Sequence, residues 1–89
     1  MRIQVPREVF LDNQGRLIQE WLDRFLEDVR EEYPDAEIEM IPTGMHFVAI
    51  RDNGQRDISV ENELYWYAAE VFFEVFEELY GSLKEPKEG

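Results

Sequence analysis

The feature that most constrains this chain is an unbroken helical period closed by a proline. Between Gly15 and Tyr33, the residues Leu17, Ile18, Trp21, Leu22, Phe25, Leu26, Val29 and Tyr33 fill one half of a wheel drawn at about 100° per residue. Pro34 disfavours helical backbone at Tyr33 and ends the segment. Leu11-Asp12-Asn13-Gln14-Gly15 reads as the turn that leads in, with Asp12 or Asn13 as the N-cap. A helix with so wide an apolar face must set that face against another layer.

The sequence offers strands for that layer. Glu37–Ile41, Met45–Arg51 and Arg56–Val60 read as extended. Pro42-Thr43-Gly44 and Asp52-Asn53-Gly54 separate them, each with glycine where a three-residue hairpin needs positive φ. These loops would set Ile38 against Val48, Met40 against His46, Val48 against Ile58 and His46 against Val60. The core face then collects Ile38, Met40, His46, Val48, Ile50, Ile58 and Val60. The opposite face collects Glu37, Glu39, Ile41, Met45, Phe47, Ala49, Asp57 and Ser59. Ile3 and Val5 alternate as in a further strand, which Pro6 assigns to a sheet edge. Val9, Phe10 and Leu11 are placed to fold across the second sheet face. Left uncovered, that face is an apolar patch rimmed with acid.

A second helix is expected from about Glu61 to Tyr80, with Gly81 as its stop. The fold class is α+β in the order α-β-β-β-α. Two helices pack on one face of a three-stranded antiparallel sheet, with an N-terminal edge strand in addition. Residues 1–81 form one domain, and 82–89 form a flexible, charge-balanced tail. From Leu17 to Leu79 this order resembles that of double-stranded-RNA-binding domains. Those domains open their last helix with a lysine cluster that grips phosphates. The matching stretch here, Val60-Glu61-Asn62-Glu63-Leu64, is acidic, so the resemblance implies a shape and no binding of RNA.

Charge and composition narrow the function. The 89 residues hold 21 acidic and 9 basic side chains, for a net charge of −12. Phosphate surfaces repel such a chain, which argues against direct contact with nucleic acid or an anionic membrane. Hydrophobic residues at 44% suffice for a core, though a domain this small buries only about 60–65% of its unfolded surface. With no cysteine, there is no disulfide scaffold, thiol nucleophile or cysteine zinc site. No long apolar run or signal-like start is present, so a cytoplasmic location is expected.

The inventory for catalysis is poor. His46 is the single histidine, and its expected place is a hydrogen-bonded position near a strand end, with a pH switch as the alternative. Thr43, Ser59 and Ser82 lack any triad context. Asp52-Asn53-Gly54 and Asp12-Asn13-Gln14-Gly15 mimic calcium loops. Ala49 and Phe10, however, fall at the first ligand position of each, so both read as ordinary turns. No enzyme activity, cofactor or metal is expected.

The last helix is informative. Residues 61–80 carry six glutamates and no base. Glu63, Glu70, Glu74, Glu77 and Glu78 fall within about 100° of its wheel and form an acidic ridge. Glu70 and Glu74 repel at i,i+4, as do Glu74 and Glu78. The helix dipole disfavours Glu77 and Glu78 near its C-terminal end. Leu64, Ala68, Phe72, Val75 and Leu79 make an ordinary buried stripe. Beside it Trp66, Phe73 and Tyr80 recur every seven residues with Ala69 between them, widening the apolar arc to about 220°. Either the first helix covers that flank or another chain does.

These features suggest a small non-enzymatic binding protein whose partner is a basic, nucleic-acid-binding protein such as a nuclease, restriction or CRISPR effector. It would act as an inhibitor by nucleic-acid mimicry. Its expected contacts are Glu63, Glu70, Glu74, Glu77 and Glu78, with Trp66, Phe73 and Phe47 as apolar anchors. The alternative is a homodimer, a structural or assembly subunit, whose acidity serves only solubility.

Overall fold

The structure, a computed structural model, describes the backbone of residues 1–84 and the side chains of residues 1–77. Strand β1 (Arg2–Pro6) runs into a 3-10 turn at Arg7–Phe10. Helix α1 (Gln19–Glu32), strand β2 (Glu37–Ile41), strand β3 (Val48–Ile50) and helix α2 (Ile58–Lys84) follow. The class is α+β, with two helices and one three-stranded sheet. The sheet is mixed, however, and its strand order is β2-β1-β3.

The N-terminal strand is therefore central. β1 pairs in parallel with β2, from Arg2 opposite Glu37 to Pro6 opposite Ile41. On its other side it pairs antiparallel with β3, setting Arg2, Ile3 and Gln4 against Ile50, Ala49 and Val48. Pro6 is tolerated because the β3 ladder ends at Gln4, so the missing N–H falls beyond it. A parallel neighbour needs a crossover, and α1 supplies it. The expected β2–β3 hairpin does not form, because β1 lies between the two strands. Pro42-Thr43-Gly44 instead carries the chain past the end of β1, with Gly44 at φ +114° and its N–H donating to Glu8 Oε1 at 2.8 Å.

In β2 the expected faces hold, with Ile38 packed on the core and Glu37 and Glu39 exposed, but in 46–50 they are reversed. Ile3, Val5, Phe47 and Ala49 are buried against Leu22, Phe25 and Val29 of α1 and Val60, Leu64 and Ala68 of α2. Val48 and Ile50 point the other way, and His46 and Ile58 are exposed. A one-residue change of phase moves a whole strand's side chains to the other face. Phe10 joins the helix-covered core, at 5.2 Å from Phe25 and 6.2 Å from Phe47 between ring centroids. The 7–11 segment thus does not cover the second sheet face, where Arg2, Gln4, Glu37 and Glu39 sit. Gln4 donates to Glu39, and Arg2 lies 3.9 Å from Glu37.

Both helix starts differ from expectation for identifiable reasons. Asp12 does not cap α1. Its Oδ1 accepts N–H bonds from Gln14 and Arg16, which close a turn around Gly15, and α1 begins at Gln19. The segment 56–60 is not a strand but the entry to α2. Asp57 accepts the Val60 N–H through its side chain and the Glu61 N–H through its carbonyl, the pattern of an N-cap. Val60, Leu64, Ala68, Val71 and Val75 then form one buried stripe at steps of three and four. Ile58, expected in the core, is 55% exposed. At the far end α2 runs through Gly81 to Lys84. The rest of the expected tail lies outside the described residues, as do the side chains of Leu79 and Tyr80.

Core and surface should separate cleanly in β3 and the loop before it. Phe47→Ala removes a fully buried ring and should cost about 3–5 kcal/mol. Met45→Ala, at a side chain 61% exposed, should stay within about 0.5 kcal/mol. Urea unfolding of the two variants measures the difference, and equal midpoints would contradict this register.

Candidate partner-binding surface

α2 is held to the body by polar bonds as well as by its buried stripe. Trp21 of α1 donates its Nε1–H to the Ala68 carbonyl at 2.8 Å and packs its ring 4.8 Å from Phe72. At the entry, Glu61 is buried although charged. It accepts Arg56 Nη2 at 2.7 Å and Nε at 2.9 Å, and the Ala49 N–H at 3.1 Å. The Arg56 guanidinium holds the Glu61 carboxyl below its usual range; burial opposes this and the Ala49 N–H assists it. Asp57 is likewise held low, first by the Val60 N–H and then by Arg51. Glu61 and Asp57 also occupy the outer edge of β3, since Asp57 N–H donates to the Ala49 carbonyl at 2.8 Å.

With the helix so fixed, its remaining faces are set by the helical period. Glu70, Glu74 and Glu77 are exposed and lie on one side. At about 1.5 Å of rise per residue, successive carboxylates in this row sit about 6 and 4.5 Å apart along the axis. Glu70 and Glu74 form no ion pair with any cation among the described residues. The Glu78 side chain lies outside the described residues. Glu63 differs from the others, because it accepts a hydrogen bond from the Tyr33 hydroxyl.

That bond reveals a feature the wheel alone does not. Tyr33 ends α1 and lies thirty residues from Glu63 in sequence, so only the packing of the two helices joins them. Burial, and then Glu63, pushes the Tyr33 phenol up; burial, then Glu32 and Glu63, pushes Tyr67 up. Both phenols therefore stay neutral, and the Tyr33 hydroxyl remains the donor to Glu63. The negative surface extends from the α2 row across the helix seam to the end of α1. The sequence signal for this was slight, namely two glutamates placed just before Pro34 and a tyrosine at the border of the ridge.

The aromatic anchors divide. Trp66 is 69% and Phe73 66% exposed, so α1 does not cover that flank. Phe47 is 1% exposed and packs on Phe25 and Tyr65; it offers nothing to a partner. Its expected exposure followed from the reversed sheet faces. Trp66 and Ala69 border a shallow groove with Asn62 and Tyr65. Further along, Phe72 and Phe76 close an apolar groove of about 420 Å³ against Trp21, Ile18, Leu11 and Val9. Phe72 stacks on Phe76 and meets Phe73 edge-on, both at 6.0 Å, so the groove and the outer aromatics are continuous.

His46 lies on the exposed surface before β3, not on the core face, with Nδ1 3.1 Å from the Tyr65 hydroxyl. The two calcium-like turns close on themselves, Asp12 on two backbone N–H groups and Asn53 on Gln55 N–H. Among the described residues no cluster of three metal-ligating side chains occurs, and no helix is long and apolar enough to cross a membrane. No family model, curated protein or solved structure matches the chain.

The Glu61 bonds give a signed pH dependence. A carboxylate held low in the fold stabilises it above the ordinary value near 4.5. That stabilisation is lost as pH falls through the lower folded value, because the unfolded chain takes up the proton first. Glu61→Gln should cost about 1–3 kcal/mol at neutral pH. The gap from wild type should hold down to roughly pH 5 and close below it. Chemical melts across pH read the gap directly, and a gap constant to strong acid would mean that no ion pair is at work.

Proposed function

We propose that this chain is a small non-enzymatic binding protein that occupies the phosphate-binding groove of a basic nucleic-acid-binding protein, such as a nuclease, restriction or CRISPR effector. It would inhibit that partner by standing in for nucleic acid. The observation that carries this reading is the row Glu70, Glu74 and Glu77, exposed along a rigid helix whose segment 61–80 holds no base. Glu70 and Glu74 repel one another at i,i+4, and neither joins a cation among the described residues. Carboxylates at regular axial steps present a basic groove with a charge line like that of a nucleic-acid backbone. The wider negative surface around Tyr33 and Tyr67 would steer association at long range.

Glu70→Gln, Glu74→Gln and Glu77→Gln combined test the reading, since glutamine keeps shape and helix propensity. The thermal midpoint of the Glu70→Gln, Glu74→Gln pair alone should stay level or rise. Association with the basic partner should slow by an order of magnitude or more at low salt, and its salt dependence should flatten. Stopped-flow association rates over a salt series supply the measurement. A triple variant that binds as fast as wild type, with the same salt slope, would leave solvation as the role of the acidity.

A further inference from the structure

The carboxylate row does not account for the apolar side chains beside it. Trp66, Ala69, Phe73 and Phe76 recur at steps of three, four and three, all exposed. That spacing lays them along one seam of the helix, the spacing at which a second helix sets knobs into holes. On the wheel, at about 100° per residue, the seam points roughly 160° away from the buried stripe. The row Glu70, Glu74 and Glu77 borders the seam on one side. Tyr65 and Phe72 border it on the other, where Phe72 and Phe76 lead into the groove beneath Trp21.

We infer that a helix of the basic partner lies along this seam, placing apolar side chains at three- and four-residue steps on Trp66, Ala69, Phe73 and Phe76, and Lys or Arg on the flank that faces Glu70, Glu74 and Glu77. The inference rests on the reading that α2 meets a basic partner, and it names the element that does so. An extended segment would need a free sheet edge, and α2 offers a ridge of side chains with every mid-helix backbone group already bonded. A second copy of this chain is disfavoured by charge. It would bring another −12 and, in a two-fold antiparallel pairing, would set carboxylate row against carboxylate row. A basic helix meets no such penalty, and its cations neutralise a row that the fold leaves unpaired at Glu70 and Glu74.

The probe is a labelled four-heptad peptide with Leu on a single seam and Lys on one flank, compared with a peptide of equal composition whose Leu residues are scattered round the wheel. Fluorescence anisotropy with the full chain should show the seam peptide binding about tenfold or more tightly than the scattered one. Trp66→Ser with Phe73→Ser should abolish that preference while leaving the melting curve in place, because both side chains are exposed. Glu70→Gln, Glu74→Gln and Glu77→Gln should weaken both peptides and flatten their salt dependence. Equal binding of the two peptides, or a preference that survives the Trp66/Phe73 variant, overturns the helix-seam inference and leaves charge mimicry standing. Unchanged binding by the glutamine variant overturns the basic-partner reading, and the charged half of this inference with it. A wild-type dimer in sedimentation that becomes monomeric in the Trp66/Phe73 variant assigns the seam to a second copy and overturns the inference.

Discussion

A five-residue strand that must hide Ile3 and Val5 while pairing along both edges imposes most of this architecture. The two side chains are fully buried, so helices must lie over them, and β1 must have neighbours on each side. The parallel neighbour requires the crossover through α1, and that crossover brings Leu22, Phe25 and Val29 onto the same face. The antiparallel neighbour, β3, is only three residues long and leaves an outer edge to be closed. The Glu61 carboxylate and the Asp57 N–H close it at Ala49. The first turn of α2 is thus bonded to the sheet it covers. The outer edge of β2 is guarded more simply, by exposed Glu37 and Glu39, charges that discourage edge-to-edge pairing.

α2 then serves three surfaces at once. Its buried stripe, from Val60 to Val75, faces the sheet and α1. Its acidic row faces solvent, and the aromatic seam lies between row and groove. The buried stripe and the Trp21–Ala68 hydrogen bond fix the helix in position, and the other two surfaces are held with it. Such a helix spends nothing on ordering when a partner arrives, which is the advantage of a preformed contact surface. The Tyr33–Glu63 bond adds to this by tying the end of α1 to the acidic side of α2.

What the sequence disclosed follows the range of the physics involved. Short-range signals were legible: the period that ends at Pro34, the strand Glu37–Ile41, and positive φ at Gly44 and Gly54. The acidic row and the Trp66–Phe73 flank were also legible, because a helix fixes the spacing of its own side chains. Long-range pairing was not. Nothing local says that Ile3 and Val5 will slip between two later strands, and once they do, Phe47 and Ala49 exchange faces with Val48 and Ile50. In Arg56–Val60 the alternation of Ile58 and Val60 competed with the capping capacity of Asp57. The cap prevailed because Val60 continues the buried stripe of the helix. Tyr33 meets Glu63 only through tertiary packing, so the spread of negative charge onto α1 was invisible in the sequence.

Magnitudes show why row and seam belong together. Trp and Phe side chains bury about 150–250 Å² each when covered. With roughly two-thirds of each exposed, Trp66 and Phe73 offer about 270 Å² to a partner, worth about 7 kcal/mol at 25 cal/mol per Å². Association of two proteins costs about 4–15 kcal/mol in lost translational and rotational freedom. The two aromatics alone therefore leave little surplus, and a screened row of surface carboxylates alone gives speed more than affinity. Together they divide the task. On the proposed reading, charge would raise the encounter rate and select a basic face, and the seam would supply the apolar contact that slows dissociation. A surface meant only for solubility needs the first of these and is harmed by the second, since exposed Trp66 and Phe73 invite aggregation. Their presence beside the row supports the proposed binding surface over a merely solvated one.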